Sequence, residues 1–590
     1  MKQFFKFLLA SVLGTFITLF VGIIIILSII VSAVSFSKEE GAELTENTIL
    51  HLTLDGNILD REPSSPLAGF DWAAMEPSNS IGLTEVLNTL KKAAEDPKIM
   101  GILLDLNDVD AGLASISEIR KGILDFKESG KFVICYSEYM SQKAYFLASA
   151  ADKVYLQPEG SIDFKGIMFE LMFFKNTLEK LDVEAQIIRH GKFKSAIEPF
   201  IYDRMSPENR EQMERLASSM WAVMLDGIST SRKIDIPRLN QIADSLLPSV
   251  AEKAKSCGIV DNLLYRDELI TELKNLTATD SASTLKTISL AKYMQTPNSS
   301  NTKVDRSKRI AVIYAQGEIE SGKGNENSIG SLTLSNAIRK ARLDKKIKAI
   351  VLRVNSPGGS SLASDVIWRE IELAKKEKPV VASFGDLAAS GGYYIACGAD
   401  KIFASPGTIT GSIGVFAMIP NAQKFLNNRL GITFDEVKTN QNSDFVGLTK
   451  PMSTYQKELM LRSVEDVYDV FISHVAEGRK ISKSYVDSIG QGRVWTGIDA
   501  KTIGLIDEFG GLEDAIAEAA KMAGIENPKI INLPEPKDPF TEIIESITNK
   551  PTEAAIKKEL GSVYTQYEGL KKIISQQGIQ ARIPFEIIIK

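Results

Sequence analysis

Cysteine is scarce in this chain: 590 residues hold Cys135, Cys257 and Cys397, an odd number spaced far apart. That spacing excludes a disulfide framework and any CxxC metal knuckle. All three stand in apolar or helical surroundings and read as buried free thiols. Histidine is equally sparse, with only His51, His190 and His474, so a Ser–His–Asp hydrolase has few bases to choose from. Three scattered histidines without ligand spacing give no reason to expect a metal, and no cofactor is expected. A surplus of positive charge is missing too. The formal net charge is -6, and no basic stripe runs along any expected helix, so nucleic acid is not an expected partner. Composition is otherwise that of a globular protein, 44% hydrophobic and 24% charged. The length exceeds what one core can organise, and at least two domains are expected.

Charge itself is absent from one stretch. After Lys6 no charged residue occurs until Lys38, and the apolar block 8–34 lies between them. About 20 apolar residues cross a bilayer, whereas the apolar part of a cleavable signal peptide has roughly 7–15. Residues 8–34 are therefore expected to anchor the chain in a membrane, uncleaved. Lys2 and Lys6 precede the block, while Glu39, Glu40 and Glu43 follow it. The positive-inside rule then places the N-terminus in the cytoplasm and everything beyond residue 38 outside, in a single-pass protein of the cytoplasmic membrane.

Beyond the anchor the chain contains itself twice. GILLDLN at 101–107 matches AIVLRVN at 349–355, an offset of 349 − 101 = 248. At the same offset Ala151, Asp152 and Lys153 meet Ala399, Asp400 and Lys401, Pro158 meets Pro406, and Gly166 meets Gly414. A register held from 101 to 166 marks a duplicated domain rather than a short-period solenoid. In the second copy, expected strands cover 309–317, 347–354 and 379–384, with helices over 332–343 and 363–375. This alternation argues for βαβ units and parallel sheets. A long helix follows in each copy, opened by Ser206-Pro207 in one and by the capping box Ser453-x-x-Gln456 in the other. The polar stretch TPNSSNTKVDRSK at 296–308 reads as a linker. The expected segments are then 1–38 (tip and anchor), 39–295, the linker 296–308, 309–535, and an extension 536–590, charged and helical around 552–574.

The copies differ where chemistry would reside. After the first strong strand, the second copy has Pro357-Gly358-Gly359-Ser360 where the first has Val109-Asp110-Ala111-Gly112. Paired glycines let the backbone turn tightly and aim N–H groups into a cavity, as an oxyanion hole requires; a plain turn would also use them. After the next strand stands Ala389-Ser390-Gly391-Gly392, with Gln142 of the first copy at the position of Ser390. A serine at a strand-to-helix junction is suited to be a nucleophile, and equally to be a helix cap. The first copy looks like a degenerate, structural half.

A base is then missing from the second copy, and the first offers one. RHGKFKSAIEPF at 189–200 contains Lys194, whose counterpart falls at about Ser443. Each half has lost part of a site that the other retains, so a composite site across the two halves is the economical reading. An ordinary lysine, with a pKa near 10.4, is neutral in only about one molecule in a thousand at pH 7.5. A lysine base therefore needs burial away from carboxylates. Phe193, Ala196, Ile197 and Phe200 are expected to supply the apolar wall, Lys192 to add like-charge repulsion, and Glu198 to point away. Otherwise Lys194 is a solvated lysine.

With these residues assembled, the chain resembles the signal peptide peptidase (protease IV) family, in its long, duplicated, membrane-anchored form. The likeness rests on KFKSAIEPF, RVNSPGGSS, AASGGYYIA, TITGSIGVF and the block GRVWTGIDAKTIGLID at 492–507. It implies an α/β fold, a tandem duplication of a Clp-protease/crotonase-like domain preceded by one transmembrane helix. It implies Ser390 as nucleophile, Lys194 as base, Ser412 supporting the lysine, and an oxyanion hole from Gly358 or Gly359 with Gly391. Ser412 corresponds to Phe164 in the first copy, since 412 − 248 = 164. The family further implies a homotetramer resting on the membrane that digests hydrophobic peptides such as cleaved signal peptides. Three other readings stay open: an acyl-CoA enzyme of the same fold, a non-enzymatic scaffold, and a hydrolase with His190 as base.

Overall fold

The computed structural model describes residues 2–36, 44–61, 70–71, 76–77, 80–297, 305–325, 327–535 and 579–583. Each copy of the duplication builds one sheet. In the first, the order is Asn262–Leu263, Lys153–Ile162, Phe132–Met140, Ile99–Asp105, Thr48–Leu52 and Thr287–Ser289, all parallel. In the second, the main path is Val494–Thr496, Ile409–Gly411, Val380–Ala389, Ile347–Ser356, Asp305–Gln316 and Pro528–Leu533. Only Val494–Thr496 runs antiparallel to its neighbour on that path. The central strands are continuous apolar runs because helices cover both faces, leaving no solvent side for polar residues. The expected strands and helices of the second copy are present. The strand expected at 309–317 begins earlier, at Asp305, inside the stretch read as linker.

The offset of 248 holds for buried anchors. Tyr145 and Tyr393 both donate their hydroxyls to carbonyls, of Ile259 at 2.9 Å and Leu505 at 2.8 Å. It slips by one residue in the strand just before. Val133 donates its N–H to Asp152 and Val380 donates to Asp400, and 380 − 133 = 247. The second copy therefore carries one extra residue between that strand and the serine, whose φ is 55°.

Both long helices start as their sequences require. Ser206 accepts from the N–H of Asn209, and Ser453 and Gln456 form the reciprocal capping box. Cys135 and Cys397 are buried free thiols, but Cys257 is only partly buried. The chain opens with one helix, Lys2–Phe36. Its side chains beyond Gly22 lie outside the described residues. Among the described residues, no helix is long and apolar enough to cross a membrane. Most of the extension 536–590, including the helix expected around 552–574, also lies outside them.

The two halves are sewn together by buried charge. Arg353 on the second copy's central strand has no exposed surface. It donates to Asp60 at 2.8 Å and Glu118 at 2.7 Å, both from the first copy, and to Ser383 Oγ at 2.9 Å. Glu118 spends its other oxygen on the N–H of Leu512, and nearby Asp386 accepts from the Ser115 N–H at 2.9 Å and hydroxyl at 2.5 Å. Burial pushes the Glu118 carboxyl up and Arg353 pulls it back. Removing the arginine strands two carboxylates in a dry seam. Arg353→Ala is expected to cost about 3–5 kcal/mol and to lower the melting temperature, with new protease cuts between the halves, as checked by thermal unfolding and limited proteolysis.

Candidate functional site

A third sheet belongs to both copies. Its order is Ser328–Gly330, Glu318–Glu320, Gly358–Ser360, Gln580–Arg582, Phe416–Asn421 and Glu184–Arg189. The last strand comes from the first copy and pairs antiparallel along its whole length with Phe416–Asn421 of the second, from Arg189 opposite Phe416 to Glu184 opposite Asn421. The chain leaving Arg189 is thereby led straight into the second copy. Five residues later stands Lys194, fully buried. Its Nζ lies 2.8 Å from Ser390 Oγ, 3.0 Å from Ser412 Oγ and 3.2 Å from the Ser412 carbonyl oxygen.

Ser390 sits between the strand Val380–Ala389 and the short helix Gly391–Ala396 with φ 55° and ψ −114°. That region is costly for a residue with a Cβ, on the order of 1–3 kcal/mol. The turn is held by its N–H bond to the Gly411 carbonyl at 2.8 Å. The strained corner pushes the hydroxyl off the sheet edge, where it meets Lys194 and, at 3.3 Å, the Gly414 carbonyl. Ser412 is also left-handed, φ 49°, which turns both its carbonyl and its hydroxyl onto the lysine.

Gly358 and Gly359 adopt φ 95° and 156°, and they form a short strand with Ser360 rather than the tight turn their sequence suggests. A Cβ on Gly358 would collide with the Ala581 carbonyl oxygen and approach the Gly391 N–H to 2.7 Å. The Gly391 nitrogen and the glycine strand thus lie side by side next to Ser390, with the Gly358 N–H donated to Ser356 Oγ at 3.2 Å.

The electrostatics of Lys194 have a single cause. Burial alone drives its pKa well below the ordinary 10.5. No carboxylate opposes this. Glu198, fully buried four residues on, turns away and is spent on Ser206 Oγ at 2.6 Å and Asn209 Nδ2 at 2.9 Å. The expected contribution of Lys192 is absent, because that side chain is exposed and burial is the whole cause. Of the expected wall, Ala196 and Ile197 pack with Phe416, while Phe200 stacks on Phe174 and Phe193 lies under the Arg493 guanidinium. His190 stacks on Tyr468 at 4.1 Å between ring centroids, and the described bonds of the Ser390 hydroxyl go to Lys194 and Gly414.

Two supports of the lysine were not singled out from sequence. Gly492, φ 85°, packs on the Lys194 backbone so closely that a Cβ would come within 2.6 Å of its Cα. Gln212, buried in the helix Pro207–Arg232, donates to Ser195 Oγ at 2.8 Å and accepts from the Val494 N–H at 3.2 Å. Together they clamp the residues flanking Lys194 onto the second copy. The available signal was the polar pair Asn209 and Gln212 at helical spacing with the apolar Leu216 and Met220.

The matching place in the first copy is plugged. Gln142 sits where Ser390 would and uses its amide oxygen on the N–H groups of Lys165 at 3.0 Å and Gly166 at 2.8 Å. Phe164, the counterpart of Ser412, fills the remaining space against Tyr145 and Trp221. Among the described residues, no group of three or more His, Cys, Asp and Glu side chains is placed to hold a metal.

A model of peptidase family S49 matches residues 125–280 and 372–526, one stretch in each copy. Protease 4 of Salmonella typhi is 38% identical over 82% of this chain and 79% of its own length. Protease 4 of Haemophilus influenzae is 36% identical over 85% of this chain and 83% of its own. A chloroplastic serine protease SPPA of Arabidopsis thaliana is 32% identical over 91% and 78%.

A lysine whose folded-state pKa is depressed binds fewer protons folded than unfolded. Stability therefore rises with pH from the depressed value up to the ordinary one, near 10.5. In Lys194→Met that part of the slope is expected to vanish and the melting temperature at neutral pH to rise, as read from thermal unfolding of both proteins across a pH series.

Proposed function

The chain belongs to peptidase family S49, as a serine endopeptidase of the duplicated protease IV type, and from that premise we propose that Ser390 is its nucleophile and Lys194 its general base. The observation that carries the reading is the 2.8 Å contact between a strained serine and a buried lysine free of carboxylates. Neutral Lys194 takes the Ser390 proton as Oγ attacks a peptide carbonyl carbon, while the Ser412 oxygens hold the nitrogen in line. The negative charge on the carbonyl oxygen is met by N–H groups of Gly391 and of Gly358 or Gly359, each such donor being worth about 3–4 kcal/mol in comparable enzymes. The lysine then protonates the departing amine. Water, deprotonated by the same lysine, releases the acyl group.

We read each half as a Clp-protease/crotonase-like domain, the first keeping the fold while Gln142 and Phe164 occupy its former site. Substrates in this reading are hydrophobic peptides, such as signal peptides left after processing. The apolar block 8–34 lies within one 35-residue helix, about 52 Å long at 1.5 Å per residue, which fits an anchor through those residues. The catalytic domains then lie on the outer face of the cytoplasmic membrane, beside peptides released from the bilayer, and a homotetramer suits that setting. An acyl-CoA enzyme needs neither Ser390 nor a lysine held on it. A scaffold gives no reason to keep a lysine buried at a cost. His190 is engaged with Tyr468 instead of the serine.

The test is cleavage of an apolar fluorogenic peptide by the full chain in detergent, with Ser390→Ala, Lys194→Ala and His190→Ala beside wild type. The first two are expected to lose at least about a thousandfold in kcat, and the third to stay within the same order of magnitude. Wild-type rates rise with pH as Lys194 loses its proton, along a limb lying below 10.5, and chelators leave them unchanged. Full activity in Ser390→Ala would end the proposal.

A further inference from the structure

Three helices share one carboxylate near the serine corner. Asp365 belongs to Ser361–Lys375, the helix that continues the glycine strand. Tyr394 belongs to Gly391–Ala396, the helix that Ser390 opens, and donates its hydroxyl to Asp365 Oδ1 at 2.9 Å. His474, on the long helix Thr454–Arg479, brings its Nε2 to 3.4 Å from the same oxygen. Its ring is fixed there by stacking on Trp368, 3.5 Å between centroids. Tyr394 is 2% exposed and its ring packs on Phe471, so the hydroxyl needs a partner inside the fold. The bond from His474 holds the Asp365 carboxyl below the usual carboxylate range, which keeps this half-exposed group an acceptor.

Among the described residues the first copy has no such arrangement. Helices Leu113–Lys127 and Ser361–Lys375 correspond at the offset of 248, and Pro207–Arg232 and Thr454–Arg479 at 454 − 207 = 247. Asp365 then corresponds to Ser117 (365 − 248), Tyr394 to Phe146 (394 − 248) and His474 to Gly227 (474 − 247). Phe146 has no hydroxyl to place. Its ring fills the space over Gly227, where a Cβ would come within 2.6 Å of it. The Arg120 guanidinium, at the place of Trp368 (368 − 248 = 120), lies over that ring at 5.1 Å. The neighbouring tyrosine bond is kept in both copies, by Tyr145 and Tyr393. The bond to Asp365 occurs only beside the serine.

This linkage holds together two elements of the proposed site. A Cβ on Gly391 would lie 2.7 Å from Ser364 Oγ and 3.1 Å from the Gly358 Cα, so the serine helix touches the glycine strand and the helix that follows it. Asp365 is the next residue after Ser364. The Tyr394 N–H donates to the Ser390 carbonyl at 2.8 Å, so the ring that reaches Asp365 and the serine corner share one helical turn. A six-residue helix has few bonds of its own and takes its direction from outside ties. We propose that Asp365 is a positioning residue for peptide cleavage: through Tyr394, and steadied by His474, it fixes Ser390 and the Gly391 N–H relative to the glycine strand. This rests on the reading of Ser390 as nucleophile and extends it to the groups that hold the serine turn in place. Donors preset where charge develops lower the barrier without tightening substrate binding, so the effect falls on kcat.

The experiment compares wild type, Tyr394→Phe, Asp365→Ala and the double variant as full chains in detergent, cleaving an apolar fluorogenic peptide well below their melting temperatures. Circular dichroism checks that each is folded, and Phe146 already fills the corresponding place in the first copy. Each single variant is expected to lose about tenfold in kcat with KM within about twofold. The double variant is expected to lose no more than the larger single loss, because both changes break one linkage. The pH limb set by Lys194 is expected to stay at its wild-type position, since neither change touches the lysine. A kcat within about twofold of wild type in Tyr394→Phe, losses that multiply in the double variant, or a loss carried by KM alone overturns the proposal. Cleavage that survives Ser390→Ala ends the nucleophile reading, whereas cleavage that needs Ser390 and ignores Tyr394→Phe ends only this inference.

Discussion

The antiparallel pairing of Glu184–Arg189 with Phe416–Asn421 is the interaction on which the site depends. Each copy has its own largely parallel sheet and its own core, and neither by itself holds a lysine near a strained serine. The six paired residues fix the first copy's chain against the second in register. The turn after Arg189 then delivers Lys194 to one place, where Gly492 permits close backbone approach and Gln212 ties down the flanks. A slip of one residue in that pairing would turn the strand's faces over and aim the chain elsewhere.

Duplication explains why such a division of labour is possible. Two equivalent domains joined along a buried seam give two places related by the repeat, and in the proposed function only one of them carries the chemistry. The other is filled instead of being left hollow. Gln142 satisfies backbone N–H groups that a buried, empty site would leave unpaired, and Phe164 supplies apolar volume. Each change is what burial of polar backbone and close packing demand. The Arg353–Asp60–Glu118 cluster belongs to the same logic. Its charges are costly to bury, and it sets the halves in one relative position.

The depressed pKa of Lys194 is set by what surrounds it, and what is missing matters as much as what is present. Glu198 is close in sequence and fully buried, yet its oxygens are consumed by Ser206 and Asn209 at the start of the next helix. The N-cap that begins that helix thus also engages a buried carboxylate close in sequence to the lysine. The central strand Gln580–Arg582 completes the enclosure, since it closes the sheet between the glycine strand and Phe416–Asn421.

Much of this was legible in the sequence because it is local or repetitive. The offset of 248 disclosed the duplication, hydrophobic periodicity disclosed its strands and helices, and the differences at Ser390, Gly358 and Ser412 between copies pointed to the half whose serines the structure places on Lys194. Capping signals at Ser206 and Ser453 follow from hydrogen bonds within four residues and needed no partner. What the tertiary structure alone decided are the contacts between distant segments. A single inserted residue in the strand before Ser390 is invisible to a fixed offset but sets its backbone corner. The extended, rather than turned, form of Gly358 and Gly359 depends on a strand hundreds of residues away in the chain. The clamping by Gln212 and Gly492 and the place of the strand Gln580–Arg582 depend on pairings and packing that link the two copies and the chain's far end. Sequence determines local preference through neighbours along the chain. The site is made by contacts whose free energy exists only once both halves have folded against each other.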